Sequence, residues 1–171
     1  MYSLWPDLKN DIEKLLLKLD AGQTGYFFGY RVHPIHKTRQ FHNGLDIPKT
    51  NGTPICLPWD GIVVKAWFDP KVADGGFGGG NSLVVRHPQM DLVYHSTGYC
   101  HLAKFSSNVV AGKVLKAGTI IGYVDTTGDS TGSHLHFVVR QDINGTVQAV
   151  DPLPELLKFC GICEMPIHSM G

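Results

Sequence analysis

At 171 residues, 43% hydrophobic and 18% charged, the chain has the size and composition of one folded domain, not of a disordered segment. Its formal net charge is zero and its pI is near 7.1, so it has no basic field with which to gather nucleic acid. The apolar run at 15–17 is flanked by lysines and is neither a signal core nor a membrane span, which needs about 20 apolar residues.

In chain order, the first predicted element is a helix from about 7 to 20. Leu8, Ile12, Leu15, Leu16 and Leu19 recur at helical spacing, and Gly22 is a natural stop. Two roles are open to it: packing on the remainder of the chain, or ending a linker from another module. Beyond Tyr26 the pattern changes to short Val/Ile/Leu-rich runs punctuated by Gly, Pro, Asn and Asp. Strands are expected at 61–66, 82–86, 120–124 and 136–140, with spacing that suits antiparallel sheets and not βαβ units. Residues 70–81 hold five glycines and are expected to form a mobile loop, a candidate wall for a substrate groove. Asn144-Gly145 has the composition of a two-residue hairpin turn. Asp151-Pro152 reads as the start of a short helix over 154–159, stopped by Gly161. The expected organisation is an N-terminal helix and linker (1–24), a β-rich domain (25–152) and a C-terminal helix and tail (153–171).

The four cysteines do not form a zinc-finger pattern: Cys160-Gly161-Ile162-Cys163 is a single C-x2-C with no second pair. A Cys160–Cys163 disulfide and two free thiols both fit. Cys56 and Cys100 lie in apolar runs and are expected to be small buried residues, with Cys100 facing away from His101 on a regular strand.

Two short motifs carry chemistry. His134-Leu135-His136 sits in a strand-like run, so both imidazoles point to one face and Leu135 to the other. Far upstream, His42 and Asp46 are four apart, and an extended backbone puts them on one face too. Each motif alone arises often by chance; their co-occurrence, order and glycine-rich surroundings give them weight. Three N and O ligands with a fourth position left to water describe a catalytic zinc site. Spacing leaves open whether His134 or His136 is the third ligand. His101 offers a proton-handling group, or else caps a strand. His33, His36, His87, His95 and His168 have no partner at ligand spacing and are read as structural or solvated, with His33 and Arg31 near the site through their link to His42. Tyr30 or Tyr99 is a candidate donor to an oxyanion, with Tyr99 better read as a packed aromatic. The glycine turns at Gly128 and Gly132 are expected to shape the backbone beside His134.

The motifs stand in a longer series: Phe28-Gly29-Tyr30-Arg31-Val32-His33-Pro34, Phe41-His42-Asn43-Gly44-Leu45-Asp46, Asp60-Gly61-Ile62-Val63, Gly80-Asn81-Ser82, Tyr99-Cys100-His101-Leu102, Ala117-Gly118-Thr119 and Thr131-Gly132-Ser133-His134-Leu135-His136-Phe137. From about 25 to 152 this series resembles the lysostaphin/LytM-type zinc metallopeptidases that cut peptidoglycan cross-bridges. The resemblance implies a mostly β fold of antiparallel sheets of the lysostaphin-like, duplicated hybrid-motif type. It implies one Zn2+ per chain, held by His42, Asp46 and His136. It implies that His101 and His134 flank the reacting centre as catalytic residues, and that activated water hydrolyses the peptide with no covalent intermediate. Val138 stands where many relatives carry glutamate and Ser133 where many carry proline. In some latent relatives an asparagine blocks the zinc, which draws attention to Asn81. The segment 31–34 looks more like relatives that cut D-Ala–diaminopimelate cross-links than like glycine-bridge cutters. The expected partner is a peptidoglycan peptide, with no nucleic acid and no membrane span. The chain is expected to be a monomer as an isolated domain, or part of a larger virion or wall assembly. It is expected to act on the extracellular or periplasmic side, delivered by phage or trimmed from a longer protein. The alternative is a non-catalytic wall-binding or virion module that keeps the fold.

Overall fold

A computed structural model describes residues 7–68, 78–88 and 95–161. Its elements in order are α1 (Leu8–Asp20), a 3-10 turn (Thr24–Tyr26), β1 (Gly29–Val32), β2 (Arg39–His42), β3 (Leu45–Pro48), β4 (Pro54–Cys56), β5 (Gly61–Trp67), β6 (Ser82–Arg86), β7 (His95–Cys100), β8 (Leu102–Phe105), β9 (Val114–Leu115), β10 (Ile120–Val124), β11 (His134–Ile143), β12 (Thr146–Val150) and α2 (Leu153–Cys160). The fold is mostly β with antiparallel sheets and a helix near each end.

The main sheet runs β12-β11-β7-β6-β5-β9. Its longest strand, β11, shares one edge between two neighbours, β3 against His134 to Phe137 and β12 against Val139 to Ile143. Side chains alternate across β11. Leu135, Phe137 and Val139 enter the core with zero exposure, joined by Tyr99, Leu83 and Val85 from β7 and β6. The opposite face carries His134, His136, Val138 and Arg140. A sheet packed on one side leaves its other face for function, and here that face floors a groove.

A second sheet, β4-β10-β8, adds Ile55, Ile121 and Leu102 to the same core. Helix α1 buries Leu8, Ile12 and Leu15 there as well, the stripe its spacing predicts. Asp11 on that helix forms an ion pair with Lys49, just past β3. The expected Asn144-Gly145 turn joins β11 to β12, with positive φ at both residues as a tight primed turn requires. Asp151 Oδ1 accepts from the Leu153 backbone N–H at the start of α2, at 2.9 Å.

One local expectation fails. His42 and Asp46 do not share a continuous strand: β2 ends at His42 and β3 starts at Leu45. The chain bends at Asn43-Gly44 because Gly44 lies against β11, where a Cβ would sit 2.5 Å from the Phe137 carbonyl oxygen and 2.8 Å from His136 Cε1. The bend moves His42 into a separate two-stranded hairpin, β1-β2, that stands over the site. Of the glycine loop expected at 70–81, residues 70–77 lie outside the described residues, as do Cys163 and His168.

Candidate metal centre and active site

Three ligand atoms, one each from His42, Asp46 and His136, lie within 4.8 Å of one another. Two strands bring them together. Asp46 on β3 is the register partner of His136 on β11, and His42 closes the group from the hairpin. His42 Nε2 lies 3.1 Å from Asp46 Oδ1 and 3.1 Å from His136 Nδ1, and His136 Nδ1 lies 2.8 Å from Asp46 Oδ1.

The outward nitrogens decide what those inward atoms are. His42 Nδ1–H donates to the Phe27 carbonyl at 2.7 Å, and His136 Nε2–H donates to Asn43 Oδ1 at 3.1 Å. Each neutral ring has one N–H, so both inward nitrogens present lone pairs to each other and to a carboxylate. Three acceptors in contact with no hydrogen between them repel unless a cation lies among them. Two imidazoles and one carboxylate oxygen, steered by outer hydrogen bonds, are a donor set that fits zinc with one position open to the groove. Burial lowers the pKa of His136, against the pull of Asp46, and so favours the neutral form that ligates. Burial alone would raise the pKa of Asp46; its contacts with His134, His136 and His42 lower it when a proton on those nitrogens, or a cation in its place, faces the carboxylate.

Asp46 is also held from behind. Arg31 Nη1 donates to its Oδ2 at 2.7 Å and to the Gly25 carbonyl, which leaves Oδ1 for the centre. The sequence signal for Arg31 was its place beside the His42 segment; its pairing with Asp46 depends on the β1-β2 register.

His101 and His134 lie beside the three candidate ligands, with ring centroids 4.6 Å apart and planes tilted by 53°. Each donates Nδ1–H to a backbone carbonyl, His101 to Thr127 at 2.6 Å and His134 to Gly132 at 2.8 Å, so each has Nε2 left over. His134 Nε2 is 3.5 Å from Asp46 Oδ1, farther than the His136 nitrogen. Burial pushes His101 down to about 4, helped by the neighbouring His134. Burial also works against charge on His134, but the Asp46 carboxylate outweighs it and its pKa is raised. His101 is held in an unexpected posture. Its backbone is left-handed, with φ of 60°, at the break between β7 and β8. Its N–H donates to Gly79 O at 2.8 Å and its carbonyl accepts from Asp125 N at 2.9 Å, and these two bonds fix the kink.

The remaining candidates separate cleanly. His33 stacks on His36 at 4.5 Å on the groove's rim, and His36 reaches Asp129 at 3.1 Å. His87 and His95 are buried away from the groove. Tyr99 is packed in the core, while Tyr30 is 69% exposed on the hairpin. Asn81 is turned from the candidate ligands: its Nδ2 donates to Leu102 O at 2.9 Å and secures the start of β8. Gly128 has φ of 88° and touches Gly78 and Gly80, whereas Gly132 contributes its carbonyl to His134. Cys100, expected among the buried apolar residues, lies on the groove floor as the register partner of His136, and burial raises its thiol pKa.

A family model described as Peptidase family M23 matches residues 40–152. The DD-carboxypeptidase/endopeptidase Mpg of Neisseria meningitidis serogroup B is 39% identical over 133 residues, covering 75% of this chain and 27% of that protein. The chain thus spans about a quarter of that relative's length. The catalytic domain of lysostaphin, the antimicrobial peptidase from Staphylococcus simulans, superposes with a TM-score of 0.61 at 34% identity, covering 77% of this chain and 90% of that one. A zinc-containing peptidase from Vibrio cholerae superposes with a TM-score of 0.58 at 32% identity, covering 76% of this chain and 35% of that one.

Proposed function

We propose, because the chain belongs to peptidase family M23, that it is a zinc-dependent endopeptidase hydrolysing peptide cross-links of bacterial peptidoglycan. The observation that carries this reading is the convergence of two imidazole lone pairs and one carboxylate on the floor of an open groove, each aimed by an outer hydrogen bond. His42, Asp46 and His136 would hold one zinc ion, which when bound polarises the scissile carbonyl and acidifies water. The chain's own groups handle the rest. Arg31 keeps Asp46 oriented, and the Phe27 and Asn43 oxygens keep two rings in their ligating tautomers. His101 and His134 share the proton work at Nε2: one takes a proton from the attacking water, and the other steadies the oxyanion or protonates the leaving amine. Neither step needs a covalent intermediate. The wall lies outside the cytoplasmic membrane, so the site of action is extracellular or periplasmic.

The test is mass spectrometry of muropeptides released from diaminopimelate-type and glycine-bridged walls, with chelator and then with zinc restored. Cut cross-links that vanish with chelator and return with zinc are expected. Tight wall binding with no cut peptide at any zinc level would overturn the reading and support a non-catalytic wall-binding module.

A further inference from the structure

The groove holds two guanidinium groups, and they differ in one respect. Arg31 is committed to Asp46 and to the Gly25 carbonyl. Arg140 has no carboxylate and no hydrogen-bond acceptor among the described residues, although it lines the same groove. The next acid on its face, Asp142, is turned away to accept from Gly145 N at 2.7 Å.

Strand geometry sets where Arg140 reaches. It shares a face of β11 with His136 and Val138. In register, Val138 pairs with Gly98 and Arg140 with Ser96. Gly98 leaves a gap in the floor that the arginine fills: a Cβ there would lie 3.2 Å from Arg140 Nη1 and 3.3 Å from Val138 Cβ. The guanidinium is therefore folded back along the strand, over Gly98 and toward His136, instead of out to solvent. That puts it about one two-residue repeat, roughly 7 Å, from the level of the His136 backbone. Val138 beside it is buried and apolar and offers the charge no acceptor. A half-buried, forked donor without an acceptor among the described residues, lining the same groove as the three candidate ligands, matches a planar anion on the substrate.

We propose that Arg140 is a specificity-determining residue that grips a free carboxylate of the substrate close to the scissile amide. The inference rests on reading the groove as a peptidase site and deepens it, since it defines the substrate class as peptides with an acid group next to the cut. That acid has two sources of one chemistry: the α-carboxylate of a diamino acid whose side-chain amine forms the cross-link, or the terminal carboxylate of a D-amino acid.

The experiment measures binding and not turnover. Ketomethylene analogues, which replace the scissile amide, are made of a diaminopimelate cross-linked peptide and of a linear pentapeptide. Each is made with its carboxylate free and as the carboxamide. Calorimetry on the whole chain gives acid-to-amide affinity ratios for the wild type, Arg140→Gln, Arg140→Lys and Val138→Glu. In the wild type, acid should exceed amide by on the order of tenfold to a hundredfold in one arm, and that arm names the source. Arg140→Gln should bring the ratio close to one, with Arg140→Lys in between. Val138→Glu adds a carboxylate two residues away on the same face and should reduce the ratio as Arg140→Gln does. A wild-type ratio near one in both arms, a ratio that Arg140→Gln leaves unchanged, or no binding of any analogue would overturn the proposal. Failure of the peptidase reading appears separately, as hydrolysable parent peptides left intact while the binding ratios still respond to Arg140.

Discussion

Strand β7 has a histidine group at each end, and the two groups are built from the same residue type at similar burial for opposite ends. Past its C-terminal end lie His101, His134, His136 and His42 around Asp46. At its N-terminal end His95 lies near His87 and Trp59. In the second group His87 is satisfied by neutral partners on both sides: Nδ1–H donates to the Asp60 carbonyl at 2.9 Å, and Nε2 faces Thr97 Oγ1 at 2.7 Å, itself hydrogen-bonded to Tyr99. Burial pushes His87 down to about 4 and lowers His95 too. These rings are polar members of a packed core. In the first group every ring spends an N–H outward, and the inward nitrogens of His42, His134 and His136 lie 3.1, 3.5 and 2.8 Å from the Asp46 carboxylate. What separates a candidate site from a core is thus which nitrogen is left over and whether a negative charge faces it. The count and burial of the histidines do not distinguish them.

The strongest way to break that contrast is to remove the carboxylate. Asp46→Ala should strip zinc from the chain, measured by metal analysis, and lower muropeptide release by at least about 10³-fold, since two imidazoles hold the ion poorly. Full zinc occupancy in this variant would show that the first group is no more a metal centre than the second. Next in size, His101→Ala and His134→Ala should keep zinc but lose roughly 10²- to 10⁴-fold in rate. If His134→Ala loses the metal and His136→Ala retains it, the ligand and proton-handling roles are exchanged. The smallest effect sharpens the other side. His87→Ala should leave zinc content as it is and destabilise the fold by about 2–4 kcal/mol, through a cavity and the stranded Asp60 and Thr97 groups. The pH dependence has a definite sign. The folded value of His87 lies below its unfolded one, so as pH falls below about 6.5 the unfolded chain takes up the proton first. Stability from this group is complete above pH 6.5 and drains away toward pH 4, by up to roughly 3 kcal/mol. Urea unfolding of wild type and His87→Gln between those pH values should show a flatter profile in the variant; parallel profiles would contradict the buried neutral role.

Much of this was legible from the chain. Alternation in His134-Leu135-His136 gives both faces of β11, because a strand's side-chain period of two survives any tertiary context. Strands 82–86 and 120–124 stand at the residues their β-branched runs mark. The Asn144-Gly145 turn follows from local backbone preference alone. What stayed hidden depends on distant contacts. The break between His42 and Asp46 arises from the closeness of Gly44 to Phe137, more than 90 positions away. The tautomer of His136 depends on Asn43, and the kink at His101 on Gly79 and Asp125. Arg31 meets Asp46 only once the β1-β2 hairpin has formed. No periodicity encodes such pairings, since each is a product of the assembled sheet.

The ion pair between Asp11 and Lys49 has a practical consequence for anyone wishing to transplant this module. Helix α1 contributes three side chains to the common core, each worth about 1.5–3 kcal/mol of burial. Lys49, whose side chain is only 8% exposed, follows directly on the strand that carries Asp46. A fusion trimmed at residue 24, where the hydrophobic rhythm changes, would strip that core and strand a shielded ammonium three residues from a proposed ligand. The smallest graft that keeps its geometry begins ahead of Leu8.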